Sequence, residues 1–237
     1  MELEIVCTSL ESIAIAEENG ATRIELCVNL SCGGLTPTGG FLSEAKKITN
    51  LPLLPLIRFR EGSFAYSNIE KNVMFDDMRR LIDLGADGLV VGALTGAGNV
   101  DFDFVEQSLE IAGTLPLTFH RAFDECMHPE ASLRTLKSMG TTRVLTAGCA
   151  PTAADGIKNL QTFLKLDDVP TILPGGGIRA SVVQELLNAG ATELHCAPHI
   201  SMTTPPNQKL FDGAFGRIDG GEIKAIRKII DDFMALS

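Results

Sequence analysis

The chain has 237 residues, 45% of them hydrophobic, and a formal net charge of -10 at pH 7. This length predicts one domain with a sizeable core, and the acidic balance argues against nucleic acid or an anionic membrane surface as a partner, because both need clustered Lys and Arg. The acidic N-terminus runs straight into a strand, and no apolar run approaches the roughly 20 residues of a membrane span, so we expect neither export nor insertion.

Strand-like runs alternate with helical patterns along the whole chain. A glycine that can end a helix precedes each even-numbered strand, and an apolar-Pro pair opens the later odd-numbered ones. The predicted strands lie near 3–7, 22–27, 53–58, 88–92, 116–120, 143–147, 170–174 and 192–196. The predicted helices lie near 9–19, 41–49, 69–84, 102–112, 129–139, 154–165, 178–189 and 219–236.

Eight strand–helix units of this kind predict a single (β/α)8 TIM barrel over residues 1–237, of the α/β class. Closure of a parallel sheet removes both of its edges, and the helices cover its outer face. A long segment at about 198–218 contains Thr203-Thr204-Pro205-Pro206 and several glycines, so we interpret it as a lid or a disordered flap.

The polar residues of the strands can be sorted by their alternation between the barrel interior and the helix layer. Placing the large apolar residues outside leaves a charged interior. The alternation sends Cys7 and Cys196 to the helix layer. The residues predicted to point inward are Glu4, Arg23, Glu25, Cys27, Arg58, Thr118, His120, Thr146, Glu193 and His195.

This charged interior has two interpretations. The lower members (Glu4, Arg23, Glu193) are typical of an internal salt-bridge network at the stable end of a barrel. The upper members are Glu25, Arg58, His120 and His195. They lie at the ends of four different strands, where barrel sites assemble, and they predict acid–base chemistry. We assign catalysis to Glu25, His120 and His195, with Arg58 or Arg60 holding a carboxylate or phosphate.

Two loops add candidate ligand-binding residues. After strand five, His120 is followed closely by Arg121 and Asp124, and the Asp124 carboxylate could orient an imidazole. After strand seven, Gly175, Gly176 and Gly177 lead into a helix, so their N–H groups either cradle an anion or simply form a tight turn. Thr146 takes the inner position at the top of strand six.

Several stretches together resemble the CutC family of copper-homeostasis proteins. The most specific are Gly33-Gly34-Leu35-Thr36-Pro37 and Thr118-Phe119-His120-Arg121-Ala122-Phe123-Asp124. Others include Arg23 to Cys27, Arg143 to Thr146 and Gly175 to Ala180, and the matches run in order from Glu4 to about Ala197. The chain departs from the family's usual pattern at Phe59 and Glu61, and at Ala147, which stands where the family has a serine.

The resemblance implies a (β/α)8 barrel that acts in copper homeostasis and binds Cu(I). Soft Cu(I) prefers sulfur ligands, and Cys27 is the thiol that the alternation leaves inside. The six cysteines lack short metal-type spacing and predict reduced thiols in a cytoplasmic protein. The alternative hypothesis is an isomerase, lyase or hydrolase acting on a small anionic metabolite. A homo-oligomer is compatible with either function.

Overall fold

The computed structural model describes residues 1–202 and 215–236, which form a barrel of eight parallel strands surrounded by helices. The barrel strands are β1 (Glu2–Cys7), β2 (Arg23–Leu26), β3 (Leu53–Pro55), β4 (Leu89–Val91), β5 (Leu117–Phe119), β6 (Arg143–Thr146), β7 (Thr171–Pro174) and β8 (Glu193–Cys196). The helices are α1 (Leu10–Glu18), α2 (Gly39–Ile48), α3 (Asn68–Asp83), α4 (Phe102–Ala112), α5 (Pro129–Met139), α6 (Ile157–Phe163), α7 (Ala180–Asn188) and α8 (Gly220–Met234). The predicted (β/α)8 fold is therefore confirmed.

Parallel pairing organises the strands into two four-stranded sheets that together form the wall. Their orders are β3-β2-β1-β8 and β4-β5-β6-β7. A parallel bridge between Leu56 and Val90 joins β3 to β4, and the Ile57 N–H donates to the Val90 carbonyl at 2.7 Å. On the other side β7 lies beside β8, although no ladder of paired residues joins them within the described chain.

Helices begin and end at capping residues and glycines that are visible in the sequence. Ser67 and Glu70 form a reciprocal capping box at the start of α3, which satisfies two N–H groups that the helix leaves free. Gly140 ends α5 with a φ of 104°, a left-handed conformation that a residue with a side chain rarely adopts. Neither the first 202 residues nor 215–236 contain a helix long and apolar enough to cross a membrane.

The segment predicted as a loop at about 198–218 contains two further strands. Strand β9 (His199–Met202) pairs antiparallel with β10 (Phe215–Ile218), so the prediction of a continuous loop is wrong at both ends. Four-residue strands give too little periodicity to be recognised beside a Pro-rich stretch. The lid or flap was predicted for about 198–218, and residues 203–214 of that span lie outside the described residues.

Apolar side chains form two separate clusters on the two sides of the barrel wall. The larger one lies between strands and helices and includes Cys7 and Cys196. The smaller one lies inside the barrel and consists of Val6, Cys27, Leu54, Leu56 and Val90. The interior therefore holds an apolar cluster beside its charged residues.

Candidate functional site

A cavity of about 210 Å³ opens at the end of the barrel where the strands finish. Glu25 in β2, Arg58 after β3, His120 after β5 and His195 in β8 all line it, so four strands contribute to one space. Its other lining residues are Val6, Cys27, Leu30, Gly33, Leu56, Phe64, Arg121, Leu145, Gly176, Gly177 and Ala197. The sequence alternation predicted the convergence of the first four.

His195 lies between two buried carboxyl groups. Its Nδ1 donates to Glu4 Oε1 at 2.7 Å, and its Nε2 lies 3.3 Å from Glu25 Oε2. Burial opposes protonation of His195, but the two carboxylates outweigh it and raise its pKa. Burial raises the pKa of Glu25 to about 7, with repulsion from Glu4 adding to the effect. Glu25 and His195 therefore form a pair that can exchange a proton near neutral pH.

Below this pair, a network of charges fills the lower barrel. The Arg23 guanidinium contacts Glu4 Oε2 at 2.5 Å and Glu193 Oε2 at 2.6 Å. Arg143 lies 3.8 Å from the same Glu193 oxygen and donates to the Thr118 hydroxyl at 3.1 Å. Burial opposes ionisation of Glu4, but its bonds to His195 and Arg23 outweigh this and hold its pKa well below the usual range. Glu4 therefore stays charged and fixes the His195 ring.

His120 presents an unpartnered nitrogen inside the site. Its Nδ1 accepts the Ala122 N–H at 3.0 Å, whereas its buried Nε2 has no hydrogen-bond partner among the residues that the structure describes. Burial, and then the charge of Arg58, lower its pKa to about 3, so the ring is neutral at pH 7. Because Nδ1 accepts, the proton of the neutral ring is on Nε2. His120 is therefore a neutral hydrogen-bond donor.

Arg58 places a fixed positive charge on the cavity wall. It is only 6% exposed, and its two terminal nitrogens donate to the carbonyls of Cys32, Gly34 and Gly62 at 2.6, 3.1 and 3.1 Å. Its Cζ lies 5.1 Å from the centre of the Phe64 ring. Within residues 1–202 and 215–236 no carboxylate pairs with Arg58, so its charge is left for an anionic ligand.

The loop after β5 is held by Asp124 rather than opened for a ligand. Asp124 accepts from Arg121 Nε at 2.7 Å, from the Thr146 hydroxyl at 2.5 Å and from the N–H groups of Ala147 and Cys149 at 3.0 Å. Arg121 lines the cavity, but Asp124 and Thr146 do not. The structure therefore gives these two predicted ligand-binding residues a supporting position, and it does not place Asp124 against an imidazole.

Two other predicted ligand-binding positions lie away from the cavity wall. Arg60 bonds to Glu70 Oε1 at 2.5 Å and to backbone carbonyls of its own loop, so it organises the segment between β3 and α3. Gly175 packs under His195, where an added Cβ would lie 3.1 Å from the ring. Gly176 and Gly177 do line the cavity, with φ of 97° and 71°.

A sequence model of the CutC family matches residues 1–200. The chain belongs to the CutC family. It is 41% identical over 203 residues to the CutC family protein of Salmonella agona, covering 86% of this chain and 82% of that protein. The structure resembles that of the CutC protein of Streptococcus agalactiae, a protein assigned to copper homeostasis. Its TM-score is 0.77 and its identity 30%, over 82% of this chain and 97% of that one.

More distant solved structures share only the barrel. The thiamine phosphate pyrophosphorylase of Pyrococcus furiosus is 16% identical with a TM-score of 0.61, covering 98% of this chain and 96% of that one. At this identity the likeness concerns the fold, which hosts many unrelated reactions. The function of this CutC family member has to be argued from its own site.

The thiols of this CutC family member do not fit a Cu(I) site. Cu(I) prefers several thiolate or thioether ligands. Cys27 is the one thiol among the residues lining the cavity, and burial, followed by the charge of Glu25, raises its pKa and keeps it protonated. Cys7 and Cys196 face the helix layer. The donor atoms that do cluster are those of Glu4, Glu25 and His195, which lie within 4.8 Å of one another and suit divalent ions better.

Sequence reasoning missed Phe64 and Gly92. The Phe64 ring lies 5.1 Å from the His120 ring and also covers Arg58, but its place in an irregular loop gave no periodic signal. Gly92 follows β4, and a Cβ there would lie 2.4 Å from His120 Cε1. The glycine at the end of a predicted strand was the available signal, since it often marks a close approach of another group.

Proposed function

We propose that this protein is an enzyme that moves a proton on a small anionic metabolite. The observation that carries the proposal is the placement of Glu25, Arg58 and His120 on one cavity. Burial there raises the pKa of Glu25 to about 7 and lowers that of His120 to about 3. Environments that push two titratable groups apart in this way assign the base and the hydrogen-bond donor.

Each polar residue of the cavity then has one role. Glu25 accepts a proton from a carbon next to a carbonyl group and later returns it, because its pKa near 7 suits both directions. The electron pair of the broken C–H bond moves to the carbonyl oxygen, which receives a hydrogen bond from His120 Nε2–H. Arg58 holds the anionic group, and His195 keeps the Glu25 carboxyl group in place.

Deuterium incorporation tests this proposal without knowledge of the final product. The protein is incubated in D₂O with short oxo acids and sugar phosphates, and exchange at carbon is followed by NMR. We expect exchange with at least one compound, and its loss in Glu25→Gln and His120→Gln. Glu185→Gln, on the exposed side of α7, is the control with full exchange. Exchange by none of the compounds, or undiminished exchange in both site variants, contradicts the proposal.

Copper binding is a second candidate, favoured by the Glu4–Glu25–His195 cluster and by the assignment of the Streptococcus agalactiae relative to copper homeostasis. Carboxylate and imidazole groups accept Cu²⁺. Titration with Cu²⁺ tests a carboxylate–imidazole site, and anaerobic titration with Cu(I) against a competing chelator tests a thiol site. Loss of binding in Glu25→Gln supports the carboxylate–imidazole site, and loss in Cys27→Ala supports a thiol site. Binding unchanged in both variants excludes both sites.

The cytoplasm is the location we propose, supported by six free cysteines that a reducing compartment keeps unpaired. The expected partner is a small anion or a copper ion rather than nucleic acid, given the net charge of -10. A homo-oligomer stays a prediction, which sedimentation of the purified protein checks.

A further inference from the structure

The anion-binding corner that many barrels use for phosphate is already filled in this protein. That corner lies in the loops after the seventh and eighth strands, next to a helix N-terminus. Here the Ala180 N–H at the start of α7 donates to Glu222 Oε1 at 2.7 Å. The Glu222 N–H at the start of α8 in turn donates to Asp219 Oδ1 at 3.0 Å. Both helix N-termini are therefore capped by carboxyl groups of the chain itself.

These carboxyl groups make the corner unsuitable for a phosphate dianion. A phosphate at the start of α7 would approach the negative charge on Glu222, which already accepts the Ala180 N–H. Arg179 lies close by, but its Nη1 is directed at the carbonyls of Ile178 and Ala197, at 3.4 and 3.5 Å. Its single charge offsets Glu222 and leaves little for a doubly charged ligand.

The donors left on Arg58 match a smaller anion. A guanidinium has five N–H groups. Two on Nη1 bond to the carbonyls of Cys32 and Gly34, and one on Nη2 bonds to that of Gly62. One Nη2–H and the buried Nε–H are left, and Nε has no partner in the described part of the chain. Free N–H groups on one guanidinium suit the oxygens of a carboxylate.

The size of the cavity sets a second limit. At about 210 Å³ the cavity is smaller than the roughly 300 to 1,000 Å³ of pockets that take drug-sized ligands, so it suits a ligand with few non-hydrogen atoms. Val6, Leu56 and Leu145 give the cavity an apolar wall, so the charged part of the ligand is confined to the side of Arg58.

We propose that the ligand of this cavity is a short unphosphorylated oxo acid, with its carboxylate on Arg58, its carbonyl oxygen on His120 Nε2–H and its acidic C–H towards Glu25. This inference rests on the proposed function and narrows it from small anionic metabolites in general to one class. The ligand class would then differ from that of barrels that bind phosphate esters at the corresponding corner.

Binding at constant ionic strength tests this choice. Melting temperature and ligand-observed NMR are recorded with 2-oxobutyrate, dihydroxyacetone phosphate and inorganic phosphate. We expect 2-oxobutyrate to bind the unaltered protein at least tenfold more tightly than either phosphate compound. Arg58→Met should weaken 2-oxobutyrate binding at least tenfold. Glu222→Gln, which removes the charge at the corner, should leave oxo acid binding unchanged and improve phosphate binding.

The outcomes distinguish this inference from the function on which it rests. Tighter binding of dihydroxyacetone phosphate, together with Glu25-dependent deuterium exchange, overturns the oxo acid assignment and leaves the acid–base function standing. Oxo acid binding that Arg58→Met does not weaken also overturns the assignment. Absence of binding by all three compounds, together with absence of exchange, overturns both. If Arg58→Met does not fold, the Glu222→Gln comparison still decides between carboxylate and phosphate.

Discussion

Replacing Glu25 by Gln should make the folded protein more stable at pH 8, although it removes the proposed base. Burial raises the pKa of Glu25 to about 7, above its usual value of 4.5. Below pH 4.5 the carboxyl group is protonated in both the folded and unfolded states and contributes no difference. Between pH 4.5 and about 7 the unfolded chain has lost this proton while the folded protein keeps it, so stability falls over this range and levels off above it.

The size of the effect follows from the two pKa values. The gap between 4.5 and about 7, at about 1.4 kcal/mol for each pH unit, corresponds to about 3 kcal/mol above pH 7. Gln avoids this cost but weakens the contact with His195 at 3.3 Å, which offsets about 1 kcal/mol. We therefore expect Glu25→Gln to gain about 2 kcal/mol in the free energy of unfolding at pH 8.

Urea unfolding followed by circular dichroism at pH 5 and pH 8 measures this difference. The advantage of Glu25→Gln should be largest at pH 8 and shrink towards pH 5, while the control Glu185→Gln stays within about 0.5 kcal/mol of the unaltered protein at both. A Glu25→Gln protein that is less stable at pH 8, or that differs equally at both pH values, would refute the reasoning.

Three further predictions concern the interior. In urea unfolding, Glu4→Gln should lower the free energy of unfolding by about 3 kcal/mol, because it leaves buried charges unpaired. The control Glu2→Gln should cost under about 0.5 kcal/mol, because Glu2 is half exposed and lies 4.0 Å from the Arg23 guanidinium. Gly92→Ala should displace His120 and weaken ligand binding at least tenfold in calorimetry, with the far-ultraviolet circular dichroism unchanged. In NMR titration His120 should stay neutral from pH 8 to pH 5, whereas His195 should take up its proton at a higher pH than an ordinary histidine; a shared titration would contradict the assigned environments.

The barrel and the centre of its site could be predicted because both depend on local rules. Glycine and proline mark where helices end and strands begin, and alternation within a strand sorts its two faces. Glu25 and His195 lie within strands, and Arg58 and His120 lie within three residues of the ends of β3 and β5, so those rules reach all four residues. Their convergence then follows from the closure of eight parallel strands.

The surroundings of the site could not be predicted because they depend on contacts between distant segments. Glu222 caps a helix that starts 42 residues earlier, and nothing in either local sequence announces it. Asp124 was expected to orient an imidazole, but the N–H groups of the β6 loop, more than 20 residues away, hold it instead. Arg60 was expected to bind an anion, but Glu70 on α3 supplies its counter-charge.

The hydrogen bond between Glu4 and His195 has a consequence for biosynthesis. Its two residues are separated by 191 positions in the chain, and β1 pairs with both β2 and β8. During translation β1 leaves the ribosome long before β8 is synthesised. Until then Glu4 is solvated, and Arg23 is the partner available to it. The pair of Glu25 and His195 therefore forms only when β8 pairs with β1 and closes the barrel. A nascent chain that stalls before β8 lacks this pair.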